Sequence, residues 1–182
     1  MYFRISAPLS SHLAALGIAT LLLPALNTIS FAADDKEKAK AVTEDNGKNF
    51  DAEGSPTFKL QDDGTVDWYT FSGFRRFNAD CHVCHGPDGV GSSYAPALAE
   101  SMKVLDYPSF LSIVAEGRKN LGAGKENVMP GFGENKNVYC YMDDLYVYLR
   151  ARAVGDLPRG RPAKKAEKTA AYKEAEASCM GG

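Results

Sequence analysis

Cys81-His82-Val83-Cys84-His85 is the stretch on which the reading of this chain turns. Two thiols three positions apart, followed at once by an imidazole, form the C-x-x-C-H pattern of covalent haem attachment. The thiols suit the two vinyl groups on one edge of a porphyrin, to which they add as thioethers. The next residue then falls beneath the iron, where an imidazole nitrogen is a good donor. On this reading Cys81 and Cys84 carry one haem c, and His85 is its proximal ligand. Two other chemistries use paired cysteines. A thioredoxin-like C-x-x-C needs a βαβ setting, and the flanking sequence does not alternate that way. A zinc site needs a second ligand pair, and Cys140 and Cys179 stand far apart and alone. His82 reads as an exposed filler of the motif, and His12 lies near the N-terminus, so no other histidine is placed for a sixth ligand.

Outward from the motif the periodicity is helical. Val66 to Asn78 leads into it with Gly73, Phe77 and Cys81 at four-residue spacing on one face, and Gly73 would let another helix pass close. Gly86 to Gly91 reads as a loop. Pro108 to Glu116 reads as a helix with proline in its first turn and Gly117 at its end. Val138 to Ala153 is a second strong helix, with Asn137 at its cap. At 100° per residue, Val138, Tyr141, Met142, Leu145, Tyr148 and Leu149 fall on one side of it. No strand pattern competes, so an all-α domain over residues 60–155 is expected.

The sixth ligand is sought among Met102, Met129, Met142 and Met180. Met129 stands in Asn127-Val128-Met129-Pro130-Gly131-Phe132-Gly133, a run of turn residues between two helical segments, where Pro130 stiffens its presentation. It follows His85 by 44 residues, room for one crossover helix. Met142 lies on an apolar helix face, where methionine is more often core. Met102 is in a connecting segment and Met180 is near the end of the chain. Met129 is therefore the expected ligand, and His/Met ligation favours electron transfer over dioxygen chemistry. Arg118, Asn120 and Lys125 precede it as candidates to pair with a haem propionate. Phe71, Tyr94 and Phe132 are expected to pack around the haem.

The 182 residues suit one domain with extensions. Arg4, the uncharged apolar run Leu13 to Leu26 and the small residues of Ser30-Phe31-Ala32 make residues 1–32 a signal peptide, cleaved after Ala32. The mature chain would be exported, with no membrane span. Removing Arg4 takes the net charge from −2 to −3, which argues against a nucleic-acid partner. Residues 33–59, polar and charged, are expected to be a flexible leader. Residues 33–80 hold eleven acids against seven bases and residues 150–176 eight bases against four acids, an asymmetry able to orient a docking partner.

Gly73-x-x-x-Phe77-x-x-x-Cys81, the haem motif, Pro96-Ala97-Leu98, Met129-Pro130 and Tyr148-Leu149 together resemble the class I cytochrome c family. The resemblance implies that Pro96 offers its carbonyl to His85, an outer contact that fixes the ring. Residues 137–162, NVYCYMDDLYVYLRARAVGDLPRGRP, are similar to the four-cysteine c-type cytochromes associated with bacterial methanol metabolism. This implies a periplasmic single-haem electron carrier. Its donor would be a quinoprotein alcohol dehydrogenase carrying pyrroloquinoline quinone, such as a lanthanide-dependent methanol dehydrogenase, and its acceptor a downstream cytochrome or oxidase. No acid–base pair is placed for catalysis, so a carrier and not an enzyme is expected. A displaceable sixth ligand would point instead to a haem enzyme or a ligand-binding sensor. In an oxidising compartment the remaining Cys140 and Cys179 suggest a disulfide, the alternative being a free or intermolecular thiol. Cys140 points away from the apolar stripe, and residues 156–182 form an extension whose Ala163 to Ala177 stretch reads as a short helix that could return Cys179 to it.

Overall fold

The computed structural model describes residues 31–122 and 125–181. From its start, α1 (Phe31–Lys38) leads into a three-stranded antiparallel sheet of β1 (Thr43–Asp45), β2 (Lys48–Phe50) and β3 (Pro56–Thr57). A short strand, β4 (Thr65–Val66), precedes α2 (Trp68–Arg76), a π-helical turn (Phe77–Cys81) and α3 (His82–His85). After a 3-10 turn at Pro87–Gly89 come α4 (Leu98–Ser101), α5 (Tyr107–Glu116) and the antiparallel pair β5 (Arg118–Gly122) and β6 (Lys125–Met129). Then follow α6 (Lys136–Tyr139), α7 (Met142–Ala153), β7 (Lys164–Lys165), which pairs parallel with β4, and α8 (Ala170–Met180).

The core is the crossing of α2 and α7. Gly73 makes it possible: a Cβ there would sit 1.9 Å from the Asp144 carbonyl oxygen and 2.6 Å from the Tyr148 Cβ. Around the contact, the Tyr148 ring meets Phe74 and Phe77 at centroid distances of 5.8 and 5.5 Å. Phe77, Leu145, Val147 and Tyr148 are fully buried. Each such side chain contributes about 1.5–3 kcal/mol of burial energy, so this seam holds the motif-bearing end of α2 in place.

Several element boundaries differ from the sequence expectation. The first helix begins at Trp68, because the Asp67 carboxylate accepts from the Thr70 amide at 2.9 Å and its hydroxyl at 2.7 Å, capping the helix there. Val66 is paired in β4 instead. The stretch Val138 to Ala153 is two helices. Asn135, not Asn137, caps α6, and Tyr141 leaves helical dihedrals before α7 begins. The break lets the Tyr141 ring lie 3.5 Å from the Arg76 guanidinium and its hydroxyl donate to Glu176 at 2.9 Å. The tail helix starts later than expected, at Ala170, where Thr169 caps it.

Residues 33–59, expected to be a flexible leader, carry most of α1 and the strands β1 to β3. Asn46 and Gly47 take φ of 53° and 88°, the paired left-handed values of a tight hairpin turn between β1 and β2. Asp51 accepts from the Glu53 and Ser55 amides and pairs with Arg150 of α7 at 2.7 Å. Arg150 also donates to the carbonyls of Pro56 and Lys38. Polar composition had suggested disorder, but these polar groups are consumed in a turn and a largely buried ion pair. The signal peptide expected over residues 1–32 lies almost wholly outside the described residues; α1 runs across the expected cleavage point after Ala32.

Candidate haem site

The motif sits where α2 changes pitch. The π-helical turn takes the chain through Phe77–Cys81, and the His82 amide bonds back to the Phe77 carbonyl. Side chains add bonds to carbonyls around the turn: Asn78 Nδ2 donates to that of Phe74 at 2.8 Å, and His82 Nδ1 lies 3.1 Å from that of Asn78. Such single π turns recur at functional sites because they re-aim the residues that follow. The turn delivers Cys81 half-buried, Cys84 exposed and His85 buried. Val83 between them is 74% exposed.

His85 is held from two sides. Its Nδ1 lies 3.0 Å from the Pro96 carbonyl oxygen. A carbonyl can only accept, so Nδ1 carries the proton and Nε2 keeps its lone pair free for a metal. Its own carbonyl accepts from the Gly91 amide at 2.8 Å. The loop between is tight: a Cβ on Gly86 would stand 2.3 Å from the Gly91 oxygen, and one on Gly91 2.8 Å from the Ala97 nitrogen. Ser92 adds a hydroxyl bond to the Cys84 carbonyl.

Met129 closes β6, paired opposite Arg118, and packs half-buried against the core. The following turn is locked onto the end of α5. Phe132 and Gly133 amides donate to the Val114 and Ala115 carbonyls at 2.9 and 3.0 Å. A Cβ at Gly117 would clash with the Met129 oxygen at 2.6 Å, and one at Gly131 with the Ala115 oxygen at 2.8 Å. The methionine is thus presented by a strand end and a fixed turn, where the sequence had suggested a run of turn residues between two helices. Arg118 is exposed, while the side chains of Asn120 and Lys125 lie outside the described residues. Tyr94, expected against the haem, is 75% exposed; Phe71 packs on Trp68 and Phe74, and Phe132 against the core.

Cys140 and Cys179 form a disulfide, Cα to Cα 5.7 Å, between the end of α6 and α8. Met142 is buried in the core, as its helix position implied, and Met102 is buried at the end of α4. The extension is fastened further by cations over aromatic faces. Lys165 lies 4.9 Å from the Trp68 ring centre and Arg161 5.2 Å from that of Phe71. Sequence reasoning missed this strapping, although the run of bases in residues 159–168 facing the aromatics of α2 was its available signal.

No protein-family model matches the chain. Cytochrome c-553I of Paracoccus denitrificans is 54% identical over 138 residues, covering 76% of this chain and 61% of that protein. The chain therefore spans under two thirds of that relative's length. Cytochrome c-555 of Methylococcus capsulatus (strain Bath) is 38% identical over 96 residues, 52% of this chain and 72% of that one. The crystal structure of the c-type cytochrome XoxG from Methylobacterium extorquens AM1 superposes with a TM-score of 0.75 at 51% identity, covering 81% of this chain and 90% of that one. The chain belongs to the c-type cytochromes.

Haem c is the cofactor of this cytochrome, and its residues fit the group. Burial pushes the Cys81 thiol up to about 12, with Asp80 adding to the effect. The half-buried position thus favours an uncharged sulfur, which a thioether is. Cys81 and Cys84 are the free cysteines among the described residues. The described residues contain no cluster of three or more His, Cys, Asp or Glu able to hold a different metal.

Proposed function

We propose that this cytochrome is a periplasmic single-haem electron carrier, not an enzyme. Cys81 and Cys84 bear the thioether bonds, and His85 and Met129 are the iron ligands. When bound, haem c supplies a one-electron couple. The chain's own residues orient and enclose it. The observation that carries the reading is the His85–Pro96 contact, 3.0 Å from ring nitrogen to carbonyl oxygen, which leaves Nε2 as the metal-facing atom beside the two free thiols. The anchoring of the Met129 turn on α5 supports a closed sixth position, because a thioether on a fixed turn exchanges slowly. The donor is read as a quinoprotein alcohol dehydrogenase, with methanol as substrate. The resemblance of residues 137–162 to methanol-metabolism cytochromes supports this, and the acceptor is a downstream cytochrome or oxidase.

The test is the visible spectrum of the dithionite-reduced protein before and after carbon monoxide, for wild type and Met129→Ala. Wild type is expected to show sharp low-spin bands that carbon monoxide leaves unchanged, and the variant to bind it. Rapid binding by wild type would overturn the carrier reading in favour of a ligand-binding haem. Stopped-flow reduction by a purified quinoprotein methanol dehydrogenase then tests the donor. No reduction above the rate of a small-molecule reductant control removes it.

A further inference from the structure

The loop that follows His85 contains one residue that needs explaining. Asp88 takes φ of 57°, a left-handed conformation that a side chain enters at a cost of roughly 1–2 kcal/mol. It is also a buried carboxylate, and its partners all come from the far end of the chain. Its Oδ1 accepts from the Gly160 amide at 2.9 Å, and its Oδ2 pairs with Arg159 Nε at 3.1 Å. Its carbonyl faces Arg152 Nε at 3.4 Å, and that same guanidinium donates to the Leu157 carbonyl. The end of α7, through Arg152, thus grips the backbone of the loop's top, and the chain after α7, through Arg159 and Gly160, grips its side chain. The bottom of the loop is what holds His85, through the Gly91 amide and the close approach of Gly91 to Pro96 and Ala97.

We propose that Asp88 is a positioning residue for the proximal ligand. Clamped by Arg159, Gly160 and Arg152, it fixes the loop whose two ends set the orientation of the His85 imidazole. The inference rests on His85 being the haem ligand. Its physical content is that two charge-assisted bonds, each stronger than a neutral one, hold a backbone that would otherwise relax. Relaxation would let the Pro96 carbonyl drift from Nδ1. A weaker Nδ1–H···O bond makes the ring a poorer donor, destabilising the ferric form and raising the reduction potential.

The experiment compares holo wild type with Asp88→Gly and Asp88→Asn. Glycine accepts the left-handed backbone but deletes the clamp; asparagine keeps an acceptor for Gly160 and loses the charge facing Arg159. Lys164→Ala, which removes an exposed pair with Asp63 on the same extension, is the control. Two readouts are taken below the melting transition: solvent exchange of the His85 Nδ1–H by NMR in the ferrous protein, and the reduction potential. Asp88→Gly is expected to speed exchange at least tenfold. It should also shift the electron-exchange equilibrium at least twofold toward the reduced form, about 18 mV at 59 mV per decade. Asp88→Asn should fall between it and wild type, and Lys164→Ala should match wild type. If Asp88→Gly fails to mature, Arg159→Ala, an exposed side chain on the same bond, carries the test with at least threefold faster exchange. Unchanged exchange and potential in a variant that merely melts lower would overturn the proposal. Absence in wild type of an Nδ1–H resonance from a haem-bound His85 would instead overturn the ligand assignment beneath it.

Discussion

Asp144 lies in the α2–α7 crossing with 3% of its surface exposed. Its Oδ2 accepts from the Tyr172 hydroxyl, which stands 2.9 Å from the Ser72 hydroxyl. Burial pushes its carboxyl from the ordinary 3.8 up to about 7; Ser72, Tyr172 and Lys48 pull it down, while Asp143 adds to the rise. In the unfolded chain the group returns to its ordinary value. From pH 4 to pH 7 the folded protein therefore keeps a proton that the unfolded chain has released. Stability is then fully present below about pH 4, falls as pH rises, and has lost this contribution above about pH 7. Three pH units at about 1.4 kcal/mol each give a fall of about 4 kcal/mol. Asp144→Asn keeps the shape and an acceptor for Tyr172 but cannot ionise. Urea unfolding of the ferric holo-protein at intervals from pH 4 to pH 9, wild type against variant, isolates the effect. The subtraction also cancels Asp67, which burial raises as well. The variant is expected to gain about 4 kcal/mol on wild type between pH 4 and pH 8. Parallel curves, agreeing within about 1 kcal/mol across that window, would refute a buried titrating carboxylate at the crossing.

Gly73→Ala tests the helix contact itself. The new Cβ starts 1.9 Å from the Asp144 oxygen and needs about 3.4 Å, so the helices must part by roughly 1.5 Å, at a cost of about 3 kcal/mol. A melting temperature lower by about 6–12 °C is expected. Gly155→Ala, with φ of 78° and open space around its Cβ, should cost only about 1 kcal/mol; equal losses would defeat the close-packing argument. Replacing Cys140 and Cys179 by serine opens a closure spanning 39 residues and should cost about 4 kcal/mol, leaving the visible spectrum unchanged. A spectral change would mean that the disulfide shapes the haem pocket and not only the tail.

The haem chemistry and the helical class were legible in the residues, because both are written in local spacing. C-x-x-C-H is a covalent geometry that needs no tertiary context, and the Gly73–Phe77–Cys81 face follows from helix pitch alone. Boundaries were less legible. The cap at Asp67 rests on Thr70, three residues on, a local signal that the apolar start at Val66 outweighed; the break at Tyr141 depends on partners remote in sequence, Arg76 and Glu176. The hairpin turn at Asn46-Gly47 had a readable signal that was outweighed by the polar composition around it. The β5–β6 pair had none, since Arg118-Lys119-Asn120-Leu121-Gly122 shows no alternation of apolar and polar residues.

By itself, then, the sequence determined the cofactor chemistry, the candidate ligands and the helices that flank them, since each depends on residues a few positions apart. Only the tertiary structure decided that the described segments on either side, residues 34–59 and 156–181, pack onto the haem domain. Asp51 meets Arg150 across 99 residues, Asp88 meets Arg159 across 71, and Ser72 meets Tyr172 across 100. Such pairs leave no periodic trace, because a charged or hydroxyl group reads as solvated until folding removes the water around it and makes the distant partner the only one available.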